Sequence, residues 1–267
     1  MKKLFIFAVA IAAMAFTSCG GNKSAQAVEE TDSIKSFEQE QVEAKIKMEL
    51  DSLAAELGRL KKLPVIQVGE DGVKLSDKEK QVKPDYLLAP SAAENATTLA
   101  EKYRMLSALS VDKTIAAMYE MPVDEYEAAI SKLVADINDP AIKKAQEAET
   151  KAEQSKVLYK EMEAEGRINF YWIMTSAATV ETVYVLSQNV EKFCAGYTDE
   201  QVANITFRLF CIIDAVDQLS VYDPQIQGIA EALSPLKDLQ ATTLADFKKE
   251  LAASKEKIEA SRAAFLK

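Results

Sequence analysis

Glu181 is the first residue to weigh for chemistry, because it stands in the most apolar stretch of the chain, Ile168 to Leu186. An ionised carboxylate there is costly unless a cation or several hydrogen bonds compensate it. Asp214 stands in a second apolar stretch, Ile205 to Leu219. If both stretches are helices joined near Tyr197, Glu181 lies sixteen residues before the joint and Asp214 seventeen after it, at nearly the same height. Two carboxylates facing one cleft can divide acid and base roles when their surroundings split their pKa values. Arg208 falls about two helical turns nearer the joint, Asp217 adjoins Asp214, and Trp172 and Tyr184 are available to line such a cleft. The same residues fit a buried polar lock, with Glu181 bonded to a Tyr, a Thr or Arg208 and fixing helix register. A third arrangement leaves them facing solvent through a gap.

Other chemistries find little support. The 267 residues contain no histidine, which removes His-based triads, His metal sites and the usual base near neutral pH. There is no Gly-rich phosphate loop, Cys-x-x-Cys pair or nucleophile elbow, so neither a metal nor a cofactor is expected. The chain carries 32 basic and 42 acidic residues, a net charge of −10, with no basic cluster to track a phosphate backbone. Nucleic acid is therefore not an expected partner. Cys194 and Cys211 would lie about 4.5 Å and about 21 Å below the same helix joint. Bridged cysteines need Cα atoms within about 7 Å, so both are read as small buried apolar residues.

The elements that must position these residues are helices. Eight Gly and seven Pro are too few to punctuate a many-stranded sheet, but enough to separate seven or eight long helices. Hydrophobic residues at 48% and charged residues at 28% suit a globular body with one core. Ile46, Leu50, Leu53, Leu57 and Leu60 form an amphipathic stripe in a helix over 34–63. Residues 64–96 read as an irregular insertion. Val65–Val68 and Val73–Leu75 flank a four-residue loop as a small β-hairpin, and Tyr86, Leu87 and Leu88 plug the core from a loop. Helices follow over 97–120, 123–138, 140–165, 167–195, 199–222, 225–233 and 235–266.

Their starts are marked by Asp139-Pro140, Asp223-Pro224, Ser234-Pro235 and the Thr198 capping box, and two ends by Gly166 and Gly196. Helix 140–165 is charged before Val157 and should lie outside. Helix 167–195, apolar nearly all round, should be central, with 199–222 as its antiparallel neighbour. Leu244, Phe247, Leu251, Ile258 and Phe265 give the last helix a seven-residue repeat suited to lying along another long helix. The fold class is all-α, a multi-helix bundle with a small hairpin insertion.

The first residues concern location. Met1-Lys2-Lys3, an apolar run from Leu4 to Phe16, and Thr17-Ser18 before Cys19 describe a secretory signal over 1–18. Phe16-Thr17-Ser18-Cys19-Gly20 resembles a bacterial lipobox, with Phe where Leu is commonest. That resemblance implies cleavage just before Cys19 and acylation (palmitate among the chains) of its thiol. Two or three chains anchor stably where one is marginal. Gly20 after the cysteine resembles lipoproteins sorted to the outer membrane. The Ser-Cys-Gly-Gly start is similar to lipoproteins of Bacteroidota, with the periplasmic or surface face undecided. Loss of Lys2 and Lys3 with the leader would leave the mature chain at about −12, so the acyl group rather than basic residues would hold the membrane.

Residues 19–33 read as a flexible tether and 34–267 as a single helical domain. Asp32-Ser33-Ile34 is similar to Bacteroidota O-glycan sites, which makes Ser33 a candidate; Asp51-Ser52-Leu53 is a weaker one, since a helix would hide it.

Function is then expected to be that of a lipid-anchored envelope protein acting through binding or structure, similar to uncharacterised helical lipoproteins of Bacteroidota. Its expected contacts are the membrane, through the anchor, and an envelope protein of unstated identity. The alternative is a carboxylate-dependent enzyme or small-ligand binder centred on Glu181 and Asp214. A helical adaptor with an exposed apolar patch is a third class.

Overall fold

The computed structural model describes residues 36–57, 75–148 and 151–267, with side chains from 36–49, 75–148 and 154–267. The leader, the tether, Cys19, Ser33 and nearly all of the expected hairpin lie outside the described residues, as does the Ser52 side chain. The described residues form twelve α-helices and two 3-10 turns, with no strand among them. The all-α bundle is as expected.

Two helices make the centre. α3 (Leu99–Met118) and α7 (Ile168–Gln188) have the longest shared contact in the fold. Neither shows a polar face: α3 buries fourteen residues and α7 eighteen, so each is enclosed all round by other elements. Tyr103 of α3 stacks on Phe170 of α7 at 4.6 Å between ring centres. α7 is central, as its composition implies. Its principal neighbour, however, is not α9 (Asp199–Leu219) but α3, followed by α12 (Lys255–Phe265). α9 packs mainly on α10 (Pro224–Leu233) and α1 (Phe37–Leu57).

Capping residues set the joints. Asp139 accepts from the Ala141 N–H at 2.7 Å and Asp223 from Gln225 N–H at 2.8 Å, each just before a proline that has no N–H to lose. Thr198 and Gln201 form the reciprocal box, and Thr98 with Glu101 forms a second at the start of α3. Gly166 and Gly196 adopt φ of 71° and 84°, where a Cβ is penalised. α4 (Asp124–Ile137) ends on Asn138 at φ 50°, the same left-handed device without glycine.

Three expected helices are broken. α7 stops at Asn189, whose extended φ of −150° and side-chain bond to Lys192 N–H start the short α8 (Val190–Phe193). The expected 140–165 helix divides into α5 (Pro140–Ala145) and α6 (Lys151–Ala164), which pack on each other, so that Ile142 and Ala145 join Leu158, Tyr159 and Met162 in the core. Ser234-Pro235 begins a 3-10 turn (Ser234–Asp238) rather than a capped α-helix, since Ser234 is itself helical at φ −51°, ψ −40°. The last segment becomes α11 (Leu244–Ala253) and α12, bent at Ser254; Phe247, Leu251, Ile258 and Phe265 remain buried across the bend.

Tyr86, Leu87 and Leu88 pack against the core from their loop. Cys194 is buried and Cys211 half-buried, both free; burial pushes the thiols up to about 12 and about 11.

Asp139 is more than a cap. Its carboxylate, 1% exposed, takes both Arg167 guanidinium nitrogens at 2.7 and 2.9 Å and a hydrogen bond from the Tyr103 hydroxyl. Burial opposes the charge, but Arg167, Tyr103 and the Ala141 N–H outweigh it and hold the carboxyl below its usual range. Such a group stabilises the fold above its unfolded pKa of ~4 and loses that contribution as pH falls further. Asp139→Ala should therefore cost about 3 kcal/mol at pH 7. Thermal unfolding checks it: the gap between variant and wild type should narrow below pH 4, and an unchanged gap would oppose the assignment.

Candidate functional site

The most charged point of the core lies where α3, α7, α12 and the 86–89 loop meet. Asp112 and Glu181 are 0% and 1% exposed. Arg262, in the last turn of α12, reaches inward and grips Glu181. Its Nε stands 3.0 and 2.8 Å from the two carboxylate oxygens and Nη2 2.6 Å from Oε1. Nη2 is also 3.7 Å from Asp112 Oδ2. The guanidinium carbon lies 3.9 Å above the centre of the Tyr184 ring, a cation–π contact. Tyr86 meets that ring edge-on at 6.2 Å. Asp112 Oδ2 accepts from Leu88 N–H at 2.8 Å, and Tyr126 donates to Leu88 C=O at 2.7 Å, so the loop is held by both polar groups of Leu88.

One cation faces two carboxyl groups, so the charges do not balance unless a proton is retained. Burial raises Asp112 far above the usual carboxylate range, and the neighbouring Glu181 charge adds to this. Burial raises Glu181 as well, but Arg262 works against it. The proton therefore belongs on Asp112. Arg262 bonds Glu181 at 2.6 to 3.0 Å but stands 3.7 Å from Asp112, so Asp112 is the less compensated acid, and its Oδ1 has no hydrogen-bond partner. The unit is Asp112–H, Glu181⁻ and Arg262⁺, with no net charge.

Of the residues expected to form a site, Glu181 and Tyr184 are together here. Trp172 is 1% exposed and packs edge-on to Tyr171 in the core. Asp214 is elsewhere: it lines an open groove on α9 and accepts from Gln218 Nε2 at 2.5 Å. The structure does not bring Glu181 and Asp214 together, because the chief neighbours of α7 are α3 and α12 while those of α9 are α10 and α1. Arg208 does not bond Glu181 either. It is buried at 3% exposure, its Nη2 has no hydrogen-bond partner, and burial alone lowers its pKa to about 10. Asp217 pairs with Lys237 at the groove edge, 2.5 Å apart.

Sequence reasoning passes over Asp112 and Arg262. Asp112 carries a signal equal to that of Glu181, a lone acid in the apolar run that starts at Leu106. Arg262 carries none, since it lies on a polar stretch 81 residues from its partner. Among the described residues no group of His, Cys, Asp and Glu is arranged to hold a metal. No helix there is long and apolar enough to cross a membrane. No family model, curated protein or solved structure matches this chain.

The retained proton gives a signed pH dependence. The unfolded chain releases it near pH 4 and the native pair keeps it, so the native state binds more protons and stability falls as pH rises through the raised pKa. Asp112→Asn mimics the protonated acid and should flatten that fall, read by denaturant unfolding at pH 5 and pH 8. Glu181→Gln should instead cost about 2 kcal/mol at pH 8, below the usual 3 to 5 because Asp112 can ionise beside Arg262 in its place. Equal slopes in Asp112→Asn and wild type would refute the shared proton. Arg208→Met removes a charge with no counter-ion among the described residues and should leave the melting temperature unchanged or higher; a fall of several degrees would mean the guanidinium has a stabilising partner.

Proposed function

We propose that this chain is a lipid-anchored, all-helical protein of the cell envelope that acts by binding or as a structural module rather than by catalysis. The observation that carries the reading is the fate of the candidate carboxylates. Glu181 is bonded to Arg262, which also faces the buried Asp112, inside a packed core with no surface left for a substrate. Asp214, the other half of the expected pair, is on an open groove without a second acid–base partner beyond the ion-paired Asp217. A general acid or base must come within hydrogen-bond reach of the proton it moves. Neither carboxyl group of the buried pair offers that reach, so their role is to hold α3, α7 and α12 in register.

The location rests on the sequence alone. The basic start, the apolar run to Phe16 and Cys19 in a lipobox-like setting support export and acylation, and the acidic body supports an anchor that does not depend on anionic lipid. The outer membrane is the proposed site, through Gly20.

Cys19→Ser is expected to leave residues 1–18 attached and to abolish the mass added by acyl chains, both read by mass spectrometry of the intact protein from envelope membranes. A Cys19→Ser variant that is still cleaved after Ser18 and still partitions into detergent would overturn the anchor.

A further inference from the structure

We infer that the groove on α9 is a binding site for a small amphipathic cation, an ammonium group carried on an aromatic or alkyl body. The groove encloses about 540 Å³ between α9 and the segment from the 3-10 turn to Thr242, within the ~300–1,000 Å³ of small-molecule sites. Its floor is apolar, with Ile213 and Leu236 buried. The far wall is fixed in place: Thr206 donates to Ala241 C=O at 2.8 Å, and Glu250 accepts from the backbone N–H groups of Gln240 and Ala241, both at 2.9 Å.

Two features of the rim point to the ligand. Phe207 and Phe210 are 50% and 61% exposed, one turn apart on the same helix, so two large rings stand in water beside an apolar floor. A bound apolar body would cover them and remove that surface from water. The second feature is Asp214. Among the described residues no cation pairs with it, while the one basic residue of the lining, Lys237, is already paired with Asp217. The uncompensated charge of the groove is therefore negative, which favours a cation and repels carboxylates and phosphates. The aromatic faces add cation–π attraction to the same charge. A second copy of this chain fits less well: a two-fold pairing of this face would bring two grooves of the same negative charge together.

This inference rests on the binding reading only for its use in the envelope. The anchor is tested at Cys19 and the groove by titration, so either can fail without the other. Full-length protein in zwitterionic lipid nanodiscs would be titrated calorimetrically with 3-phenylpropylammonium, and with 3-phenylpropanol as the neutral probe of the same size; empty discs supply the blank. The site predicts saturable one-to-one binding of the amine and at least tenfold weaker binding of the alcohol. Asp214→Asn should reduce the amine to the level of the alcohol, and Phe210→Ala should weaken both. Both substitutions are at the surface, and unchanged melting temperatures would establish that the variants are folded. Equal binding of amine and alcohol, an unaffected Asp214→Asn, lack of saturation, or a dimer that excludes the amine would each overturn the site.

Discussion

A carboxylate cannot be left charged and alone in an apolar interior, and much of this structure is arranged around that constraint. Asp112, Glu181 and Asp139 are all essentially sealed from water. Each is answered by a different device: a retained proton for Asp112, the Arg262 guanidinium for Glu181, and Arg167 with Tyr103 and a helix N–H for Asp139. The two cations come from different parts of the chain, Arg262 from α12 and Arg167 from the residue before α7. The buried acids thus do what apolar contacts alone do loosely, because a hydrophobic surface tolerates a slipped helix but a bidentate ion pair does not.

The central cluster shows how this works in space. α3 brings Asp112, α7 brings Glu181 and Tyr184, α12 brings Arg262, and the 86–89 loop brings Leu88 and Tyr86. Moving any of these by a turn would break several bonds at once. Arg208 is the exception: the same burial acts on it with no compensating acid among the described residues, and its depressed pKa is the result.

Local chemistry is legible in the sequence wherever a few neighbouring residues decide the outcome. Asp139-Pro140, Asp223-Pro224, Thr198 with Gln201, Gly166 and Gly196 all do what their types imply, because a cap or a left-handed turn is settled within about four residues. The uniform apolarity of α7 tells its depth for a similar reason. Breaks inside helices are less legible: Asn189 starts α8 by accepting from Lys192 N–H, and Ser254 bends the chain between α11 and α12, yet both fall within a pattern that reads as continuous helix. Partner choice is the least legible of all. Glu181 announces that it needs compensation, but the identity of the compensating residue depends on which helix lies beside α7, and that is set by the whole bundle. Heights along two consecutive helices are informative only if the two are mutual neighbours. α3 and α12 take that place, and Asp214 turns outward to the groove.

Arg262 lies near the far end of the sequence from the acids it serves. A polypeptide made and delivered from its N-terminus presents α3 and α7 long before α12 exists to meet them. Until that last helix arrives, Glu181 has no cation and the two acids would have to stay wet or both hold protons. Closure of the interior therefore waits for α12, and contacts of such long sequence separation slow the final collapse. On the export route proposed above, late closure of this kind would keep the body open until α12 has crossed.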